Sequence, residues 1–203
     1  TPSHEAYKTS KKARLGPGPT FVARSLKDKR IDSSYAAAFY PRVSTRDENT
    51  GRVLWVPPSV AMMGVLASSQ RKSHVWFAPA GFTRGGLSRG SAGVGVLAVS
   101  QRLSAQDRDD LYAANVNPIA QFPAEGIVVF GQKTLSATPS ALDRINVRRL
   151  VVYLKKSISR IASTLLFEPN VQATWNRFRG QAIPFLQSVK TGFGLEEFKV
   201  VLD

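Results

Sequence analysis

The 203-residue chain has no cysteine, two histidines and only 14 acidic residues against 28 basic ones. Without cysteine there are no disulfides, no thiolate ligands and no thiol nucleophile. His4 and His74 alone do not make a zinc site. No apolar run approaches the ~20 residues a membrane-crossing helix needs, so membrane insertion is not expected. No internal repeat is visible, which argues against a solenoid or propeller. At this length the chain is one or two domains and can bury a core of its own.

The net charge of +14 is unevenly spread. Residues 1–30 hold eight bases and two acids, and residues 71–102 hold five bases and no acid. Residues 103–143 reverse the balance, with five acids and two bases. Such asymmetry bears on association and not on fold. It is compatible with nucleic acid, an anionic surface, an acidic protein, or copies of one chain that meet basic patch to acidic patch.

Residues 1–33 read as an extended basic arm or linker, with Lys8 to Lys12 basic and Gly16-Pro17-Gly18-Pro19 opposed to regular structure. Val53 to Val56 reads as a strand. Pro57-Pro58 suits the entry of a helix from Ser59 to Ser69. Arg71 to Gly93 is a glycine-rich loop carrying Trp76, Phe77 and Phe82, followed by a strand from Val94 to Val99. Ser104-Ala105-Gln106-Asp107 has the form of a capping box and opens a helix to about Asn115. Val116 to Gln121 and Ile127 to Phe130 read as strands. A long helix spans Asp143 to Phe167, and Pro169-Asn170 ends it. A further helix from about Val171 to Lys190 should be kinked or divided at Pro184. Phe198 to Leu202 reads as a last strand. Strands alternating with helices predict an α/β (mixed α+β) chain with a mixed sheet flanked by helices.

Several motifs imitate enzymes. Gly86-Leu87-Ser88-Arg89-Gly90 matches the G-x-S-x-G elbow, but that motif needs a strand before the serine and a helix after it. Here a glycine loop precedes it, a strand follows, and both histidines lie upstream. Gly93-Val94-Gly95-Val96-Leu97-Ala98 has dinucleotide-loop spacing but opens a strand instead of a helix. In Gly126 to Thr134, Gln132 splits the Gly-Lys pair of a phosphate loop, and Ile-Val-Val-Phe makes a strand where the loop must offer free amides. Asp107, Asp109 and Asp110 form a carboxylate cluster, but on a helix Asp107 and Asp110 share a face near the N-terminus, where acids complement the helix dipole. No catalytic, metal or cofactor site is expected.

The stretch DRINVRRLVVYLKKSISRIASTLLF carries the strongest association signal. Val147, Leu150, Val151, Leu154, Ile158, Ile161 and Leu165 recur at helical spacing. After Asp143 its charges are all positive, at Arg144, Arg148, Arg149, Lys155, Lys156 and Arg160, and no acid appears before Glu168. Like charges at helical spacing cost a little, so a partner is expected to supply the anions. From charge alone, a basic nucleic-acid-binding protein is the alternative, although no nucleic-acid motif is present.

Seven segments, in order, resemble contractile-tail sheath proteins. They are Ser34-Tyr35-Ala36-Ala37-Ala38-Phe39-Tyr40-Pro41; Val56-Pro57-Pro58-Ser59 leading to Gly64-Val65-Leu66-Ala67; Val75-Trp76-Phe77-Ala78-Pro79-Ala80-Gly81; Asn117-Pro118-Ile119; Gly126 to Thr134; Pro139-Ser140 with Arg144-Ile145-Asn146-Val147-Arg148-Arg149-Leu150; and Phe167-Glu168-Pro169-Asn170. The resemblance implies a sheath core domain over residues 34–203, incomplete at the C-terminus because sheath proteins are usually longer. It implies a structural subunit and no enzyme: a helical sleeve around a tail tube, built in the host cytoplasm and carried in the virion. Contraction of that sleeve drives the tube through the host envelope. Expected partners are other copies of the chain, the tail tube protein, and baseplate and tail terminator proteins, with no nucleic acid and no cofactor. Candidate tube-facing cations are Arg148, Lys155, Lys156, Arg160, Arg177, Arg179 and Lys190. Phe198, Lys199, Val200, Val201 and Leu202 are the candidate strand shared between subunits.

Overall fold

The computed structural model describes residues 17–88 and 95–201. In chain order its elements are α1 (Pro19–Asp28), β1 (Ala38–Tyr40), β2 (Val43–Arg46), β3 (Val53–Val56), α2 (Pro58–Lys72), α3 (Gly81–Arg84), β4 (Val96–Val99), α4 (Ala105–Ala113), β5 (Val116–Phe122), β6 (Gly126–Val129), a 3₁₀ turn (Ala141–Asp143), α5 (Ile145–Ser163) and α6 (Gln172–Thr191). The mixed helices and strands agree with expectation. The single mixed sheet, however, is two small ones.

The first sheet has the order β1-β5-β6, with β1 parallel to β5 and β6 antiparallel to it. The second is antiparallel, in the order β3-β2-β4. Pro41, which has no amide to donate, follows β1 and separates it from β2. β5 is the centre of the body, buried from Val116 to Ala120. Its Pro118 costs no ladder bond, because pairing with β1 ends at Pro118 and pairing with β6 begins at Ile119. Val43, Ala61, Met62, Val65, Leu87, Val96, Ile119, Ile127 and Val129 join the two sheets and α2 into the main core.

The extended arm predicted over residues 1–33 is corrected where the structure describes it. Gly18 takes an extended conformation before α1 and Pro19 occupies its first turn, so the Gly-Pro sequence starts a helix. Val22, Ala23 and Leu26 of α1 pack on a second core of Tyr40, Leu111, Ala114 and Val116. The basic run Lys8 to Lys12 lies outside the described residues.

The predicted capping box is present at α4. Ser104 accepts from the Asp107 amide at 3.1 Å, and Asp107 accepts from the Ser104 amide at 3.0 Å. The Ser104 hydroxyl also donates to Asp107 Oδ2 at 2.7 Å, and that bond first and the Ser104 amide second hold the Asp107 carboxyl below its ordinary pKa. A depressed carboxylate contributes stability above its unfolded pKa and loses it as pH falls through the folded value. Ser104→Ala should therefore cost about 1 kcal/mol near neutral pH. In urea titrations its deficit should shrink as the pH drops below the usual aspartate range.

Pro184 neither breaks nor divides α6, which runs as one helix from Gln172 to Thr191. Pro184 and Gly180, whose carbonyl loses its partner, both face solvent, so water serves in place of the lost bond. The last predicted strand is likewise corrected: among the described residues, 198–201 pair with no strand. Leu202 lies outside the described residues.

Candidate functional site

Helices α5 and α6 form a hairpin whose base is fixed to the body and whose remainder stands clear of it. Ile145 and Leu150 are the buried residues of α5, and beyond Leu150 its apolar stripe is at best half-covered. On α6 only Ala182 and Val189 are buried. Leu166, Phe167, Val171 and Ile183 are exposed.

The base is held by polar side chains of the first turns of α5. Arg144 donates to the Tyr112 hydroxyl and pairs with Asp143 at 3.0 Å. Asn146 donates to the Trp76 carbonyl at 3.1 Å. Arg148 donates to Ser34 Oγ and lies 4.1 Å from the centre of the Tyr35 ring. Arg149 donates to Gln70 Oε1 at 3.2 Å and to the Leu66 carbonyl at 3.4 Å, and burial lowers its pKa. Lys133 rests over Tyr112 at 4.2 Å, and burial and then the Arg144 charge push its pKa down.

A second clasp holds the end of α6. Trp76 donates from Nε1 to the Gly192 carbonyl at 2.8 Å, and its ring neighbours Tyr153, which in turn neighbours Phe185. A Cβ on Gly194 would lie 2.7 Å from Val189 Cγ1 and 3.0 Å from the Trp76 ring. His74 stacks on Trp76 with ring centres 4.6 Å apart, so it is the loop contact that its position predicts.

The candidate tube-facing cations therefore divide. Lys155, Lys156, Arg160, Arg179 and Lys190 are exposed on the hairpin. Arg177 meets Glu168 at 3.6 Å, a solvated contact of little energy. Arg148, expected among the tube-facing cations, is half-buried and turned onto Tyr35, because its position at the helix base faces the body.

Three features escaped sequence reasoning. β3 is a sheet edge whose Val53, Leu54 and Trp55 are 53%, 46% and 41% exposed, so among the described residues the edge has neither a further strand neighbour nor a cover. Its unalternated V-L-W-V was the available signal. Phe82, Phe122 and Phe130 form a cluster with Arg108 over it. Asn117 is wholly buried, donates to the Ala38 and Lys133 carbonyls at 3.0 and 2.8 Å, and accepts from the Lys133 amide at 2.6 Å.

The enzyme-like motifs have structural employment. Ser88 Oγ accepts from the Ile127 amide at 2.7 Å and clips the edge of β6; Arg89 and Gly90 lie outside the described residues. Gly126 sits at φ 77°, where a Cβ would meet Ser88 Oγ at 2.6 Å. Gly126–Val129 is strand paired with β5, and the amides that point away from β5 are taken as well, Ile127 by Ser88 Oγ and Val129 by the Gly85 carbonyl at 2.8 Å. The dinucleotide-like glycines lead into β4, with Gly93 and Val94 outside the described residues. Asp107 serves the capping box and Asp110 accepts from Gln106. Among the described residues no His, Asp and Glu side chains group to hold a metal, and no helix is long and apolar enough to cross a membrane.

The chain is 35% identical over 190 residues to the tail sheath protein of Vibrio phage KVP40, covering 94% of this chain and 27% of that protein. It is 36% identical over 173 residues to the tail sheath protein of Enterobacteria phage T4, covering 85% of this chain and 25% of that protein. The fold matches a chain of the contracted sheath complex of PVC, an extracellular contractile injection system, with TM-score 0.73 and 26% identity over 91% of this chain and 49% of that one. Over most of its length the chain is similar to a segment of contractile tail sheath proteins. A chain of the anti-feeding prophage baseplate matches as well, with TM-score 0.70 and 28% identity over 83% of this chain and 42% of that one. No family model matches. The chain spans about a quarter of the length of its curated relatives. Within it, the segments that carry the resemblance converge: Trp76, Asn146 and the end of α6 make one joint, and Asn117 with the Gly126–Thr134 segment makes another.

Proposed function

We propose that this chain is the core of a subunit that polymerises as a helical sleeve around a tail tube. Rearrangement of its contacts with neighbouring copies drives the tube through a host envelope for genome delivery. The observation that carries this reading is the α5–α6 hairpin, a half-covered apolar and cationic projection built on a sheath fold. A sleeve that must slide needs grip without permanence, and solvated ion pairs of about 0–1 kcal/mol each supply it. Lys155, Lys156, Arg160, Arg179 and Lys190 are the cations free to meet an acidic tube, with Arg177 at the edge of the set.

The proposed core runs from residue 34 to 203, joined by α1. Phe198 to Leu202 acts as a strand given to a neighbour; the absence of a ladder partner for 198–201 among the described residues and the β3 edge left open there support that role. Baseplate and tail terminator proteins complete the proposed partners, with assembly in the host cytoplasm and a final place in the virion.

Negative-stain microscopy of the whole purified protein should show long tubular polymers. Lys155→Glu with Lys156→Glu should weaken docking on the tube at least tenfold while leaving the melting temperature unchanged, since both side chains are exposed. Unaltered sleeve formation around tubes would remove these lysines from the inner wall.

A further inference from the structure

Arg148 and Arg149 present an unbalanced charge. Arg148 Nε and Arg149 Nη1 are buried and have no hydrogen-bond partner. Among the described residues neither guanidinium has a carboxylate within 4 Å; the ion pairs are Arg144–Asp143 and Arg177–Glu168. Their known partners are a serine, a glutamine, a carbonyl and an aromatic ring, all neutral. Taking guanidinium groups out of water without an anion is costly. The two flank an apolar groove of about 230 Å³, lined by Ala37, Phe39, Met62, Leu66 and Ile145. Such a site fits a carboxylate carried beside a large apolar side chain, received by the guanidinium fork.

One exposed element of the chain has that chemistry. At the tip of the α5–α6 hairpin Phe167 is fully exposed at φ 69°, beside exposed Leu166 and Glu168. A phenylalanine in the left-handed region with nothing over it gains most from a covering partner. Glu168 holds only the long contact to Arg177. The other described acids are less suited. Asp47 and Asp107, both half-buried, are engaged by Thr50 and Asn49 and by Ser104; exposed Asp32 and Asp110 accept from the Ala137 amide and from Gln106; and no large apolar residue adjoins exposed Asp28, Glu48, Asp109 or Glu125. Glu196 and Glu197 adjoin Leu195 and Phe198, which are half-buried on the chain itself.

We infer that the Phe167-Glu168 tip of one copy docks in the Arg148/Arg149 groove of the next. Tip and groove lie at opposite ends of α5, on the order of 25 Å apart at 1.5 Å per residue. One copy therefore offers its tip in one direction and its groove in the other. Between copies that run in the same direction such a contact is heterologous, and where its rotation does not close a ring it propagates as the open helical array a sleeve requires. The inference rests on the sleeve reading above and specifies one contact within it.

The absence of cysteine from these residues makes the contact testable in the whole protein. The paired variant F167C/Q70C places thiols at the exposed tip and the exposed groove rim. Under mild oxidation, tubes of this variant should give a non-reducing ladder of chain multiples. Each single variant should stay monomeric, and an equimolar mixture of the two singles should stop at dimers. Glu168→Gln should raise the concentration needed for tube formation about tenfold or more, as loss of a charge-assisted bond implies. Glu48→Gln, in an exposed turn, should not. Well-formed tubes without a ladder would overturn the docking and leave the sleeve reading standing. So would a fast-migrating intrachain product, a crosslink from F167C alone, or an effect that follows Glu197→Gln instead. Failure of the parent protein to form tubes would remove both readings together.

Discussion

Asn117→Ala should destabilise the domain by about 3–4 kcal/mol, because truncation strands three buried backbone groups that each cost roughly 1–3 kcal/mol when unpaired. The Ala38 carbonyl on β1 and the Lys133 carbonyl lose their donor, and the Lys133 amide loses its acceptor. The amide of Asn117 is thus the polar link between β1, β5 and the segment after β6. Water does not easily replace it, since the residue is fully buried. For a chain of this size the loss corresponds to a fall in melting temperature on the order of 10 °C. Asn117→Asp should be worse. It keeps the acceptor for Lys133 but turns two donors into a charge facing two carbonyl oxygens. Gly131→Ala should act on the same joint from the other side, where a Cβ would stand 2.9 Å from Asn117 Oδ1. Guanidinium titration of the three variants, with m-values unchanged, checks the order. An Asn117→Ala midpoint within error of the parent would refute the role given to this side chain.

The legibility of the chain followed the range of the interactions. Patterns set by neighbours three or four residues apart were readable: the Ser104–Asp107 capping box, the Pro58 helix entry, the long cationic α5 and the strand at Ile127 all appear where the spacing puts them. What depends on distant partners was not. Nothing local to Pro19 announces that α1 will find α4, and nothing local to Arg148 says that its neighbour will be the Tyr35 ring, 113 positions away along the chain. The strand expected at Phe198 is not formed within the described residues for a related reason. A strand is defined by its ladder, and none of the described residues supplies one to it. Pro184 leaves α6 undivided, because the carbonyl it deprives of a partner belongs to Gly180, which is exposed.

The motif residues divide in a way that family resemblance could not foretell. Arg144, Asn146, Arg148 and Arg149 are bolts at the base of a lever, while the plain lysines further along it are exposed. A rigid body carrying a stiff projection, fixed at one end, suits a subunit that moves as a unit when its contacts change. The exposed apolar side chains of β3 and of the hairpin tip are the surfaces such a body would offer to its neighbours.

Trp76→Ala should release that lever before it melts the body. The ring covers Gly192 and Gly194, donates to the Gly192 carbonyl and reaches Tyr153. Its removal deletes a large, half-buried aromatic group and leaves a carbonyl unpaired, a loss of about 3 kcal/mol. That energy falls on the hairpin, because the main core around Val43, Leu87 and Ile119 does not include Trp76. Hydrogen exchange should accelerate in α5 and α6 while amides of β5 and β6 keep their protection, the pattern of a cooperative unit opening alone. Gly194→Val should imitate it without touching the tryptophan. The added Cβ and methyls would be driven into Val189 and the ring, an overpacking of about 1–3 kcal/mol. Trp76→Phe separates the terms, since it keeps most of the apolar contact and loses only the Nε1 donor; it should cost about 1 kcal/mol. If Trp76→Ala exposed β5 as readily as α6, hairpin and sheets would be one cooperative unit. The lever would then have to move with its body or not at all.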